Sequence, residues 1–303
     1  MMLADIDSLA PEEVRRLVTG RHLQDTGWLV GETVAGVFEH PSLRTRSALA
    51  KASFALGALP VFFVGDEVGI DRRESAEDVA RLLAEHHRAI AARLRSHEVF
   101  VRMAKVADAL DVPIINLLTD RAHPTQAIAD CITICEELSA TTPEDCGTIR
   151  VVYLGDANNV ARSLAKAALA MGMQVVISSP PGHSFGPPDL EELAAWGERC
   201  QARHVVEVVT EPREAVEGAD VLYTDAWVSM GEEGKDVDAF VPYRLDEELV
   251  KRAPEARIMH CLPAHRGQEI TDAVIDSAQS LVWRQARNRV VAMRRILELV
   301  GEG

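Results

Sequence analysis

A 303-residue chain with 47% hydrophobic residues is long enough for two α/β domains, each with its own core. Its net charge of −15 argues against nucleic acid as a partner, and any anionic substrate must be held by locally concentrated arginine. No apolar run approaches a membrane span and M-M-L-A-D-I-D-S-L-A is not a basic-then-apolar leader; with five irregularly spaced cysteines, the expectation is a cytoplasmic protein with buried thiols and no membrane partner.

Pro11 to His22 reads as a helix with Val14, Leu17 and Val18 on one face. A β-like run, Thr33 to Glu39, leads into F-E-H-P-S-L-R-T-R, where Ser42, Arg44, Thr45 and Arg46 fall within five residues. A helix starting near Ser42 and stopping at Gly57 would aim free N–H groups, hydroxyls and a guanidinium at one spot, which suits phosphate. An ordinary N-cap followed by surface arginines is the plainer alternative. Strand Pro60 to Val64, a polar loop Gly65 to Glu74 and a helix Ser75 to His87 follow, the helix turning Val79, Leu82 and Leu83 inward. Strand Ala89 to Arg93, helix His97 to Leu110 and strand Pro113 to Leu118 complete the first half. Arg93 stands at a strand end, where open α/β sheets bind ligands.

His123-Pro124-Thr125-Gln126 opens a longer helix reaching Leu138. Pro124 suits its first position, and His123 and Gln126 can both hydrogen-bond beyond its start. The polar stretch Ser139 to Gly147 marks a domain boundary. In the second half, strands are expected at Arg150–Leu154, Gln174–Ser178, Val205–Val209, Val221–Thr224, Ile258–Leu262 and Leu281–Arg284. Helices are expected near Val160–Met171, Leu190–Ala202, Pro212–Glu217, Asp246–Lys251, Asp272–Ser277 and Asn288–Val300. Alternating strands and helices imply parallel sheets covered on both faces.

Gly155-Asp156-Ala157-Asn158-Asn159 follows a strand but lacks the further glycines of a dinucleotide turn. Asp225 ends another strand and could bind an ammonium, with Ser229, Met230 and Gly231 in a loop able to close over an aliphatic chain. In H-C-L-P-A-H-R-G, residues His260, Cys261 and His265 could be metal ligands, or Cys261 a nucleophile, but the spacing is not finger-like.

These motifs, in this order, resemble the aspartate/ornithine carbamoyltransferase family, and the resemblance covers essentially the whole chain. S-L-R-T-R is similar to the family's S-T-R-T-R, H-P-T-Q and G-D-A-N-N also resemble the family, and the S-M-G loop and H-C-L-P-A-H-R-G resemble its ornithine branch. The resemblance implies two doubly wound parallel-sheet α/β domains joined by a linker helix. Residues 1–138 would bind carbamoyl phosphate, completed by a C-terminal helix 288–303 packing back on them, and residues 139–287 would bind ornithine. It implies transfer of a carbamoyl group from carbamoyl phosphate to the δ-amine of ornithine, giving citrulline and phosphate, with no cofactor and no metal, in a homotrimer or an assembly of trimers.

By the same resemblance Ser42, Leu43, Arg44, Thr45, Arg93, His123, Gln126, Cys261, Leu262 and Arg289 would hold carbamoyl phosphate. Asn159, Asp225, Ser229, Met230 and Cys261 would hold ornithine, and Arg44, Arg93, His123 and Cys261 would be catalytic. Some positions depart from the family pattern: Leu43 replaces a threonine, Gly69 a glutamine that reaches a neighbouring subunit, and Arg287 a glutamate. The departures leave open another amine acceptor, such as lysine or putrescine, or a non-catalytic ligand-binding paralogue.

Overall fold

The computed structural model describes residues 1–20, 23–24, 26–140, 142–228 and 237–302. They form two compact units, Met1–Ala129 with Asn288–Gly303 and Asp130–Arg287.

The first unit contains β1 (Met2–Leu3), α1 (Pro11–Thr19), β2 (Thr33–Phe38), α2 (Leu43–Ala55), β3 (Leu59–Val64), α3 (Ala76–His86), β4 (Ala89–Arg93), α4 (His97–Ala109), β5 (Ile114–Leu118) and the start of α5 (Pro124–Glu137). Its sheet is parallel, in the order β1-β5-β4-β2-β3. The chain therefore reverses direction across the sheet between β2 and β4, and a crevice opens beyond strand ends at such a switch point. Strand β4, A-I-A-A-R, is buried at every position, as a central strand covered on both faces must be. One core gathers Ala35, Val37, Ile90, Ala92, Phe100 and Met103.

The second unit contains α6 (Pro143–Cys146), β6 (Arg150–Leu154), α7 (Asn159–Ala170), β7 (Gln174–Ser178), α8 (Pro187–Cys200), β8 (Glu207–Val208), α9 (Pro212–Ala215), β9 (Val221–Thr224), α10 (Glu247–Val250), β10 (Arg257–His260), α11 (Asp272–Ile275) and the start of α12 (Val282–Val300). The parallel order β10-β9-β6-β7-β8 places its switch point between β6 and β9. Val152, Leu154, Leu222, Leu245 and Ile258 lie in its core.

Several sequence expectations change. Leu281 to Arg284 is not a strand: Ser280 makes an isolated bridge to Ile258, and the chain then enters α12. The apolar Leu-Val-Trp run looks strand-like alone, but from Val282 it belongs to one long amphipathic helix. Leu82 is 51% exposed, whereas Val79 and Leu83 are buried, so the inward stripe of α3 is narrower than expected. Strand β10 stops at His260, because Leu262 takes a left-handed backbone (φ 59°) before a cis bond to Pro263. The polar stretch before β6 holds a short helix, α6, with a reciprocal Thr142–Asp145 capping box. The division between units falls inside α5, after Ala129 and ahead of that polar stretch.

Candidate active site

In the first unit the donors are built around the β2/β4 switch point. Ser42 caps α2 with an extended backbone (φ −151°) and accepts the Thr45 N–H at 3.4 Å. The first N–H groups of α2 have no acceptor within the helix, so they and the positive helix end face outward beyond β2. Leu43 sends its side chain to solvent, 80% exposed, and brings only its backbone to this turn. Thr45 is fully buried, and its Oγ1 accepts from Nη2 of Arg289 at 2.6 Å. Arg289 therefore reaches the start of α2 from the far end of the chain. Arg93 closes β4 at a register irregularity between Ala92 and Arg93, a device that re-aims a side chain. Arg44 keeps a buried Nε that no described residue accepts from.

His123 sits just before α5 and is buried, with Nδ1 at 3.4 Å from Oγ1 of Thr125. Burial holds its pKa well below the usual histidine value, and the positive charges of Arg289, Arg93 and Arg44 push it further the same way. Three guanidiniums from three distant stretches thus bear on one imidazole, which stays uncharged and offers a neutral N–H donor. Gln126, also buried, sends its backbone N–H to the His123 carbonyl at 3.1 Å.

The second unit builds a different cluster at its own switch point. Asp225 follows β9; its Oδ1 accepts the Cys261 thiol at 2.7 Å and the Ala226 N–H at 2.8 Å. Its Oδ2 accepts from Asn158 Nδ2 at 3.2 Å. Asn158 is also the N-cap of α7, taking the Val160 and Ala161 N–H groups on Oδ1 at 2.9 and 3.2 Å. Asn159, the residue singled out from the sequence, is the first residue of α7, and its neighbour Asn158 also meets Asp225. The G-D-A-N-N motif pointed to the turn, but the cap geometry distinguishes the two asparagines.

The turn carrying Cys261 and Leu262 is held from beneath. The Leu262 N–H donates to His260 Nδ1 at 2.8 Å, which fixes the proton on Nε2, and Nε2 donates to Glu269 Oε1 at 2.9 Å. The same carboxyl oxygen takes the His265 N–H at 2.6 Å. The His260 N–H runs to Gln285 Oε1 at 3.0 Å, and Gln285 Nε2 donates to Asp130 Oδ1 at 2.7 Å. Tyr223 closes the chain by donating to Asp130 Oδ2 at 2.9 Å. Glu269, Gln285 and Tyr223 carried no motif signal; their roles arise only from packing.

The ligand atoms of Asp225, His260 and Cys261 lie within 4.8 Å of one another. Both His260 nitrogens and the Cys261 thiol are already engaged inside the protein, so metal binding would have to break this network. His265 is half exposed and stands outside that trio. Cys131 and Cys135 are buried as expected, and Cys135 meets Cys146 rather than a ligand set. Ser229 and Met230 lie outside the described residues. Cys261, expected to touch both substrates, and Leu262, expected to touch carbamoyl phosphate, belong to the second unit, while Ser42, Leu43, Arg44, Thr45, Arg93, His123, Gln126 and Arg289 belong to the first.

Two open parallel sheets, with clustered guanidiniums at one switch point and a carboxylate–thiol cluster at the other, define a two-domain α/β enzyme for an anionic small molecule. Residues 3–136 match the carbamoyl-P binding domain of aspartate/ornithine carbamoyltransferase, and residues 148–300 match its Asp/Orn binding domain. The chain is 41% identical over 281 residues to the anabolic ornithine carbamoyltransferase of Pyrococcus furiosus, covering 91% of this chain and 85% of that one. It is 43% identical over 277 residues to the ornithine carbamoyltransferase of Hyperthermus butylicus, covering 90% and 85%. The solved Pyrococcus furiosus ornithine carbamoyltransferase superposes with a TM-score of 0.89 at 36% identity, over 99% of this chain and 97% of that one. The Thermus thermophilus enzyme gives 0.84 at 33%, over 99% and 98%. The chain belongs to the aspartate/ornithine carbamoyltransferase family.

Proposed function

We propose that the chain transfers the carbamoyl group of carbamoyl phosphate to the δ-amine of L-ornithine, releasing L-citrulline and phosphate. The convergence of Arg44, Arg93 and Arg289 on the buried His123 carries this reading. Guanidiniums, Ser42 and the free N–H groups at the start of α2 suit a phosphate. The neutral His123 N–H and Arg93 suit the carbamoyl oxygen, where negative charge builds in the transition state. Cys261 hydrogen-bonds to Asp225 and acts as an orienting group beside the amine rather than as a covalent nucleophile. Asp225 and the capping Asn158, with Asn159, Ser229 and Met230, hold the ornithine end.

A free δ-amine resembles lysine, so neutralising it at pH 7 costs roughly 4.6 kcal/mol. Desolvation and neighbouring cations lower that cost. The neutral amine attacks the carbamoyl carbon, the bond to the phosphate oxygen breaks, and the amine proton leaves through the Asp225–Cys261 pair or the departing phosphate. Neither step calls on a cofactor.

We also place the protein in a homotrimer within the cytoplasm. Val30 in the turn before β2, Phe54 on α2 and Leu59 at the start of edge strand β3 are 68%, 80% and 64% exposed, a large apolar exposure for a lone subunit. Light scattering on the purified protein tests the trimer.

The activity is tested by offering radiolabelled carbamoyl phosphate with a panel of amines. Citrulline from ornithine at the highest kcat/KM supports the proposal. No carbamoylated product, or preference for lysine or putrescine, overturns it.

A further inference from the structure

In the second unit, the end of α5 and the short helix α6 bring together two thiols that the proposed function does not use. Cys135 lies in the last turn of α5 and Cys146 ends α6, with their Sγ atoms 3.7 Å apart. The backbone fixes both positions. Ser139 takes a left-handed conformation (φ 53°), and the Ala140 N–H donates back to the Cys135 carbonyl at 3.0 Å, so α5 stops there. Thr142 and Asp145 cap α6 reciprocally, and the Ile149 N–H donates to the Cys146 carbonyl at 3.0 Å just before β6. Cys135 is 7% exposed and Cys146 is fully buried. Among the described residues Cys131, one turn earlier on α5, makes no hydrogen bond to either sulfur.

The two thiols are not equivalent. Cys135 donates the shared hydrogen bond, which, together with burial, raises its pKa well above the usual thiol value. The same bond lowers the pKa of Cys146, with burial and Asp145 opposing it. Cys146 is therefore the readier nucleophile, and Cys135 stands in contact to resolve whatever forms on it. Helix α6 is only four residues long, and its Glu144 and Asp145 are exposed. Opening that one turn admits a small oxidant and lets the Cys146 sulfur move.

We propose that Cys135 and Cys146 are a reversible redox pair, closed to a disulfide by hydrogen peroxide and reopened by thiols, which staples the end of α5 to α6. The inference does not depend on the reaction proposed above. The Cys146 thiolate attacks one peroxide oxygen; the S–O bond forms, the O–O bond breaks, and hydroxide leaves and takes up a proton as water. Cys146 is then a sulfenic acid. The Cys135 sulfur attacks it, the S–S bond forms, and the S–O bond breaks, releasing a second water with the Cys135 proton. Two thiols and one peroxide thus give one disulfide and two waters, and a thiol reductant returns both sulfurs by exchange. The sulfurs must close from 3.7 Å to about 2.05 Å, and the stapled loop loses freedom in the unfolded chain, which stabilises the second unit.

The test treats the full chain with hydrogen peroxide, then with dithiothreitol, and reads a non-reduced peptide map and the thermal unfolding midpoint. A protease that cuts after glutamate is used, because Glu136, Glu137 and Glu144 lie between the two cysteines. Expected is a cross-link between the peptides carrying Cys135 and Cys146 and a midpoint higher by about 5 °C, both reversed by dithiothreitol. Cys131 shares the Cys135 peptide, so Cys131→Ser, which should cross-link like the wild type, shows which of the two is joined. Cys146→Ala should neither cross-link nor gain stability. No cross-link in the wild type, a cross-link lost in Cys131→Ser, or one that persists in Cys146→Ala overturns the pair. A cross-link without a rise in midpoint overturns the staple. If Cys146→Ala does not fold, the maps of the wild type and Cys131→Ser decide: a cross-link in both supports the pair, and its absence from either overturns it.

Discussion

The two units are both doubly wound parallel α/β sheets, with different strand orders, and they solve opposite electrostatic problems. At the first switch point, like charges act together: burial, and then the charges of Arg289, Arg93 and Arg44, hold the pKa of His123 well below the usual histidine value. At the second, Asp225 already accepts from Cys261, Asn158 and its own neighbouring backbone. A site of like charges gains most when an anion enters, because its mutual repulsion is relieved. A site whose groups satisfy one another must exchange partners to take a cation. The first unit should therefore supply most of the electrostatic stabilisation of the reaction, and the second should supply orientation and discrimination.

The sharpest way to break this contrast is Arg44→Gln, which removes one cation and leaves the helix cap intact. A fall of about 10³-fold in kcat/KM is expected, measured with carbamoyl phosphate varied at saturating ornithine. Asp225→Asn should be milder and fall on the other substrate: about 10²-fold in kcat/KM for ornithine, with carbamoyl phosphate binding unchanged by calorimetry. If Asp225→Asn weakened carbamoyl phosphate binding as much as Arg44→Gln did, the division of labour would be lost.

Glu269→Ala probes the scaffold under the Cys261 turn. It leaves His260 Nε2–H and the His265 N–H without their acceptor, and should cost about 3 kcal/mol, read as a lower unfolding midpoint.

The smallest effect concerns pH. His123 has a folded pKa below the ordinary value of 6.5, so between the two values the unfolded chain binds a proton that the folded chain does not. Stability should thus be retained above about pH 6.5 and fall as pH drops below it, by at most about 1.4 kcal/mol per pH unit. His123→Gln should flatten that part of the curve, as followed by thermal unfolding from pH 7 to 5.5. An equally steep acid loss in the variant would place the proton elsewhere.

Much of the site was legible because its parts sit where sequence and structure are tightly coupled. Ser42 is a helix cap, Arg93 a strand end, and His123-Pro124 a helix start, each with a local physical signature. Asn158 escaped notice because two adjacent asparagines carry the same signal, and only the cap hydrogen bonds separate them. The buried chain through Glu269, Gln285, Asp130 and Tyr223 left no trace in spacing, since its members lie as far as 155 residues apart. Leu281–Arg284 misled because a short apolar run fits either period.

What the sequence determined alone was the alternation of strands and helices, the Ser42-capped helix start and the family resemblance, because these depend on neighbours within a few residues. Which guanidiniums act on His123, how Asn158 meets Asp225 and how the Cys261 turn is braced were decided by tertiary structure. Those are contacts between remote segments, and their geometry is set only when each sheet packs with its own helices and buries polar groups that must then find partners.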